Sequence, residues 1–133
     1  MGILIDTDVI IDYERNKTDL TNLVQEYHDH EFIISVISAS ELLHGVHRAK
    51  GSAIRSRRLS FVEAVLSVFP VIPIDLKTAR SHAELWSHLA AKGKMIGLHD
   101  SWLAATCLAH DLVLISRNER DFRRVPGLDF KVV

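Results

Sequence analysis

Short, nearly unbroken apolar runs alternate along the chain with stretches where apolar residues recur every three or four positions. The runs fall at 3–6, 32–36, 71–74, 112–115 and 129–133. The first four have almost no polar break, as expected of strands covered on both faces. The spaced patterns predict helices. They are marked by Leu20, Leu23, Val24 and Tyr27; by Leu42, Leu43, Val46 and Ala49; and by Phe61, Val62, Val65, Leu66 and Phe69. Two more are marked by Leu76, Ala79, Ala83, Trp86 and Ala90, and by Leu103, Cys107 and Leu108. Strands alternating with helices predict a mainly parallel sheet with helices on both faces. Gly51-Ser52 breaks two helices apart, 93–97 reads as a loop, and Pro73 suits a sheet edge. No repeat or linker interrupts the pattern, so residues 1–133 are expected to form a single domain.

Composition narrows this picture. A chain of 133 residues with 47% hydrophobic content has a real core and is not a disordered segment. The net charge of -1 carries no global polyanion signal, so nucleic-acid binding would rest on local basic patches. The single cysteine, Cys107, excludes an intrachain disulfide and suits a reducing compartment. Its helical apolar setting reads as packing. No apolar run approaches the roughly 20 residues of a membrane span, and the start lacks a signal-peptide pattern. A soluble, cytoplasmic protein is expected.

The candidate chemistry lies in the acids. Asp6 ends the first strand, and ligands of open parallel sheets bind beyond the carboxyl ends of strands. The plainer alternative is that Asp6 or Asp8 caps the short helix that follows. Glu41 in "SASELLHG" fits a capping box begun by Ser38. Asp100 in "GLHDSWLAATC" opens a helix, where the dipole favours an acid. Small residues there (Ala104, Ala105, Ala109) would let the helix approach the sheet closely. Asp121 follows Asn118, a second N-cap candidate, by three residues. Each acid has a local explanation, yet parallel topology sends all of them to one edge. Two like charges about 4 Å apart cost on the order of 4 kcal/mol at an effective dielectric of 20, so such a cluster implies a cation. All-oxygen donors suit Mg²⁺ or Mn²⁺, and the matching chemistry is phosphodiester hydrolysis.

The segments "LIDTDVIIDY", "ISVISASELLHG", "GLHDSWLAATC" and "LISRNERDFRRVPGL" resemble, in order and spacing, the four signature segments of PIN-domain ribonucleases. The likeness is closest to the VapC-type toxins of bacterial toxin–antitoxin pairs. It implies a three-layer α/β/α sandwich on a parallel sheet of four or five strands. It also implies that Asp6, Glu41, Asp100 and Asp121 form the catalytic, metal-holding set, with Asp6 and Asp100 as principal ligands. Ser116 would orient the metal shell, where the family more often has threonine. Asp8 stands where asparagine is commoner and adds negative charge, and Asn118 is a further supporting residue. The implied activity is Mg²⁺-dependent endoribonuclease (Mn²⁺ a possible substitute) on structured RNA such as tRNA or rRNA, leaving 5′-phosphate and 3′-hydroxyl ends. A VapB-type antitoxin from a neighbouring gene and a homodimer are the implied partners.

Two basic groups flank this machinery and are candidates to hold RNA phosphates: Arg48, Lys50, Arg55, Arg57 and Arg58, then Arg117, Arg120, Arg123 and Arg124. Neither His44 and His47 nor His28 and His30 forms a zinc motif, and they read as surface or packing residues. His99 adjoins Asp100 and is a possible substrate contact. Trp86 is expected in the core, Trp102 in the core or at a dimer contact. Three other readings compete. One is a non-toxin PIN nuclease in RNA processing. Another is a haloacid dehalogenase-type phosphohydrolase, since "LIDTDV" also resembles that family's start, although its downstream lysine and paired acids are missing. The last is a non-catalytic RNA- or partner-binding domain, against which the full set of four acids argues.

Overall fold

The computed structural model describes residues 2–133. Its sheet contains β1 (Gly2–Ile5), β2 (Glu31–Ser35), β3 (Val71–Ile72), β4 (Leu112–Ser116) and β5 (Phe130–Val132). All pairings are parallel, in the order β3-β2-β1-β4-β5. The five apolar runs are therefore the five strands, and β3 takes an edge as Pro73 implied. Around them lie α1 (Thr7–Glu14), α2 (Thr21–Glu26), α3 (Val36–Arg48), α4 (Ser52–Val68), α5 (Leu76–Ala91), α6 (Leu98–His110) and α7 (Glu119–Phe122).

Strand pleating divides the interior into two cores. Ile3, Ile5, Val113 and Ile115 face one side and pack with Leu42, Val46 and Val62 of α3 and α4. Leu4, Leu112 and Leu114 face the other and meet Leu85, Leu89, Leu103 and Phe122. The result is the three-layer α/β/α sandwich. Ala104 and Ala105 of α6 are fully buried, which is the close approach their size allows. Gly51 adopts φ 91°, a region open to glycine, where the chain turns from α3 into α4.

Two local expectations need correction. The α5 residues Leu76, Ala83, Trp86 and Ala90 do not face inward; Leu76 is 67% and Trp86 37% exposed. The inward stripe is Thr78, Leu85 and Leu89, with His82 half-buried between them. Polar residues in that stripe hid it from a search for apolar periodicity. The second correction concerns the capping box. α3 starts earlier than "SASE" suggests: Ser35 is its N-cap and accepts from the Ile37 amide at 3.1 Å. Ser38 is thus buried inside the helix, and Glu41 is released from capping.

From β1 the chain moves to β2 and β3 on one side and later returns to β4 on the other. The carboxyl ends of β1 and β4 therefore border the topological switch point, where open α/β sheets form a crevice.

Candidate active site

Asp6 stands at that crevice. Its amide extends the β1–β4 ladder by donating to the Ile115 carbonyl at 2.9 Å, and its own carbonyl starts α1. Although it sits at the N-cap position, its side chain caps nothing. The Ser116 hydroxyl instead donates to Asp6 Oδ2 at 2.7 Å, across 110 residues of sequence. Asp6 is 6% exposed. Burial pushes its pKa from 3.8 up to about 7; Asp8 and Asp100 add to the rise, and Ser116 opposes it.

The other acids gather around it. Asp100, in the first turn of α6, accepts from Asn118 Nδ2 at 2.9 Å. The same nitrogen donates to Asp121 Oδ2 at 3.1 Å, while Asn118 Oδ1 caps α7 by accepting from the Asp121 amide at 3.3 Å. Burial raises the pKa of Asp100, and the charges of Asp121, Asp8 and Glu41 raise it further, so these acids are within electrostatic reach of one another. Glu41 projects from α3 and accepts from Thr7 Oγ1 at 3.2 Å; His99 Nδ1 lies 3.4 Å from the same carboxylate oxygen. Asp8 is half-buried, and burial raises its pKa against the pull of Arg117. All four acids named from the sequence, with Asp8, Ser116 and Asn118, thus share one edge of the sheet.

The site suits a hard cation. Every acidic donor is oxygen, Asp8 Oδ1 is buried with no hydrogen-bond partner among the described residues, and Asp6 resists ionisation in this crowd of like charges. Among the described residues no three acidic, histidine or cysteine side chains close tightly enough to cage an ion unaided. Mg²⁺ needs no such cage, since it keeps several waters and takes one or two carboxylates directly.

Sequence reasoning missed Asp12 and Thr7. Asp12 is buried and paired with Arg117, tying α1 to the loop after β4. Its only sequence signal was an acid on the inward side of a short helix, two turns from Asp6. The basic candidates divide. Arg48 and Arg58, joined by Arg15, line a cleft that runs to Glu41, and Arg57 lies beside it. Arg55 donates to the Ala49 carbonyl at 3.0 Å. In the second group, Arg117 is paired with Asp12, Arg123 with Glu119, and Arg124 donates to the Met95 carbonyl at 3.0 Å. Three of its four guanidinium groups therefore serve the chain itself. Arg120 and Lys50 stay exposed.

A family model described as "PIN domain" matches residues 3–128. The chain is 35% identical over 133 residues to Ribonuclease VapC1 of Rickettsia felis, spanning 100% of this chain and 97% of that protein. It is 29% identical over 128 residues to the tRNA(fMet)-specific endonuclease VapC of Salmonella typhimurium, spanning 96% and 95%. Among solved structures it is similar to VapBC2 from Rickettsia felis bound to a DNA fragment from the promoter. That match has a TM-score of 0.90 at 25% identity, over 100% of this chain and 99% of the other.

Proposed function

The chain belongs to the VapC-type branch of the PIN-domain family, and from that premise we propose that it is a Mg²⁺-dependent endoribonuclease acting as the toxin of a toxin–antitoxin pair on structured RNA. The observation that carries this reading is the gathering of Asp6, Glu41, Asp100 and Asp121 at the β1–β4 switch point, where Ser116 donates to Asp6, Thr7 to Glu41, and Asn118 bridges Asp100 and Asp121. A dehalogenase-type phosphohydrolase has no support, because the matched family is a different one.

Asp6 and Asp100 would hold the ion, with Glu41 and Asp121 completing its surroundings. When bound, Mg²⁺ supplies positive charge for the scissile phosphate and lowers the pKa of water. The chain's own part is orientation. Ser116 fixes the rotamer of Asp6, Asn118 sets the spacing of Asp100 and Asp121, and Thr7 directs Glu41. The cleft lined by Arg15, Arg48 and Arg58 reaches Glu41 and offers cations for flanking RNA phosphates.

An antitoxin encoded nearby is the proposed protein partner. A groove of about 360 Å³ between α1, α2 and α4 suits its apolar segment; Tyr13, Val24 and Val68 line the groove and are exposed. A homodimer in the cytoplasm completes the proposal. Among the described residues no helix is long and apolar enough to cross a membrane. The test is expression with and without the adjacent small gene, followed by mapping of RNA ends. Growth arrest with new 5′-phosphate ends, relieved by the neighbour, is expected. Asp100→Asn is expected to abolish cleavage with an unchanged melting temperature; full activity in that variant removes Asp100 from the mechanism.

A further inference from the structure

α6 begins without a side-chain cap, because its N-cap residue is Gly97. Uncapped first turns fray, yet Asp100 sits in this one. The compensating contact comes from the side. His82 of α5 lies flat on Trp102, with ring centroids 3.7 Å apart and planes 8° apart, and Trp86 stacks on the same imidazole at 5.5 Å and 25°. His82 Nε2 is 2.9 Å from Ser101 Oγ. Ser101 is fully buried, and its hydroxyl proton goes to the Leu98 carbonyl at 2.6 Å. The serine oxygen is then left as an acceptor, so the imidazole proton is on Nε2. Burial lowers the His82 pKa, which agrees with a neutral ring stacked on the indoles.

We propose that His82 is a positioning residue for Asp100: stacked on Trp102 and donating to Ser101, it clamps the uncapped first turn of α6 and so holds the carboxylate that precedes Ser101. This rests on the metal-dependent reading above only for the part that concerns the ion. The two tryptophans fix the ring plane, the ring fixes Ser101, and Ser101 closes the turn through Leu98. Asn118 restrains the far end of the Asp100 side chain, whereas the His82 clamp restrains its backbone.

Three single variants, one double variant (His82→Phe with Ser101→Ala) and two measurements test it. His82→Phe keeps a ring in the stack but removes the N–H. Ser101→Ala removes the acceptor, and His82→Gln offers an amide N–H at similar reach. Exchange of the Ser101 amide, which donates to the Gly97 carbonyl at 2.9 Å, should quicken about fivefold in His82→Phe, the change expected of one lost hydrogen bond, while α3 amides stay unchanged. Calorimetric Mn²⁺ affinity should fall several-fold. Ser101→Ala should match both effects, the double variant should be no worse than either single one, and His82→Gln should recover most of the loss. Should His82→Phe not fold, Ser101→Ala carries the same test. Unchanged exchange at the Ser101 amide overturns the clamp. Faster exchange with wild-type Mn²⁺ affinity shows a clamp on the helix that does not position Asp100, and overturns the proposal. A wild-type protein that binds no Mn²⁺ sinks the metal reading instead, and exchange at the Ser101 amide then decides the clamp alone.

Discussion

Replacing Arg117 with methionine separates two roles that its place in the chain allows. The sequence grouped it with RNA-binding cations, whereas the structure sets its guanidinium on Asp12. The Asp12 side chain is 10% exposed and that of Arg117 50%. A fully exposed pair contributes about 0–1 kcal/mol, and breaking a fully buried one costs about 3–5 kcal/mol because a charge is left stranded. Asp12 is nearly buried, but water reaches half of Arg117. An intermediate loss of about 2 kcal/mol follows, or roughly 6–8 °C in melting temperature for a domain of this size. Calorimetry of Arg117→Met, Asp12→Ala and the double variant forms the assay. The double variant strands no charge at position 12, so it should lose less than the sum of the singles, with a coupling of about 1–2 kcal/mol. RNA binding, measured against salt in an Asp100→Asn background, should keep its slope in Arg117→Met. Loss of Arg48 or Arg58 should lower that slope by about one. Additive melting losses together with a slope reduced by about one in Arg117→Met would mean that Arg117 faces RNA and that its pairing is incidental.

The other predictions concern the interior of the site. A folded pKa near 7 against 3.8 means that Asp6 binds its proton more tightly in the native state, so its contribution to stability falls as pH rises from about 4 through 7. Metal-free Asp6→Asn should therefore melt higher than wild type at pH 8, by at most about 4 kcal/mol, with the gap closing near pH 4; parallel curves would refute this. Phe122 is fully buried beside Asp121, and Phe122→Ala should cost about 3–5 kcal/mol in denaturant unfolding, with Phe122→Leu losing much less. Cys107 is buried, and its thiol pKa is pushed well up, so iodoacetamide at pH 8 should label it only in denaturant; rapid labelling of the native chain would show that α6 opens.

Fold and acids were legible in the sequence for one reason: each had a strong local signature whose meaning is fixed by parallel topology. Ile3–Leu4–Ile5 and 112–115 read as doubly covered strands, and their ends had to meet. Asn118 was readable as a cap because Asp121 follows at capping distance. Its second duty, bridging Asp100 and Asp121, was hidden, since that depends on how α6 approaches α7. Trp86 misled because helical spacing among alanines resembles a core stripe, while the inward stripe holds Thr78 and His82. Glu41 fits the spacing of a capping box that Ser35 pre-empts. The partners of Arg117, Arg123 and Arg124 were invisible in principle, because a cationic run looks the same whether it meets water, RNA or the chain's own acids.

Three consecutive residues, beginning with the last of β4, serve the acidic site. Ser116 donates to Asp6, Arg117 pairs with Asp12 and moderates Asp8, and Asn118 bridges Asp100 and Asp121. Their placement follows from the register of β4 on β1, in which Ile5 lies opposite Ile115 and the Asp6 amide closes the ladder onto the Ile115 carbonyl. A slip of one residue would turn Ser116 away from Asp6. It would also exchange Leu112 and Leu114 with Val113 and Ile115 between the two cores. The apolar faces that make the slip costly therefore also hold the polar loop in place. Carboxylates whose mutual repulsion opposes folding are kept together by hydrophobic packing that lies outside the site, so the proposed cation would have only to relieve repulsion at a position the sheet has already set.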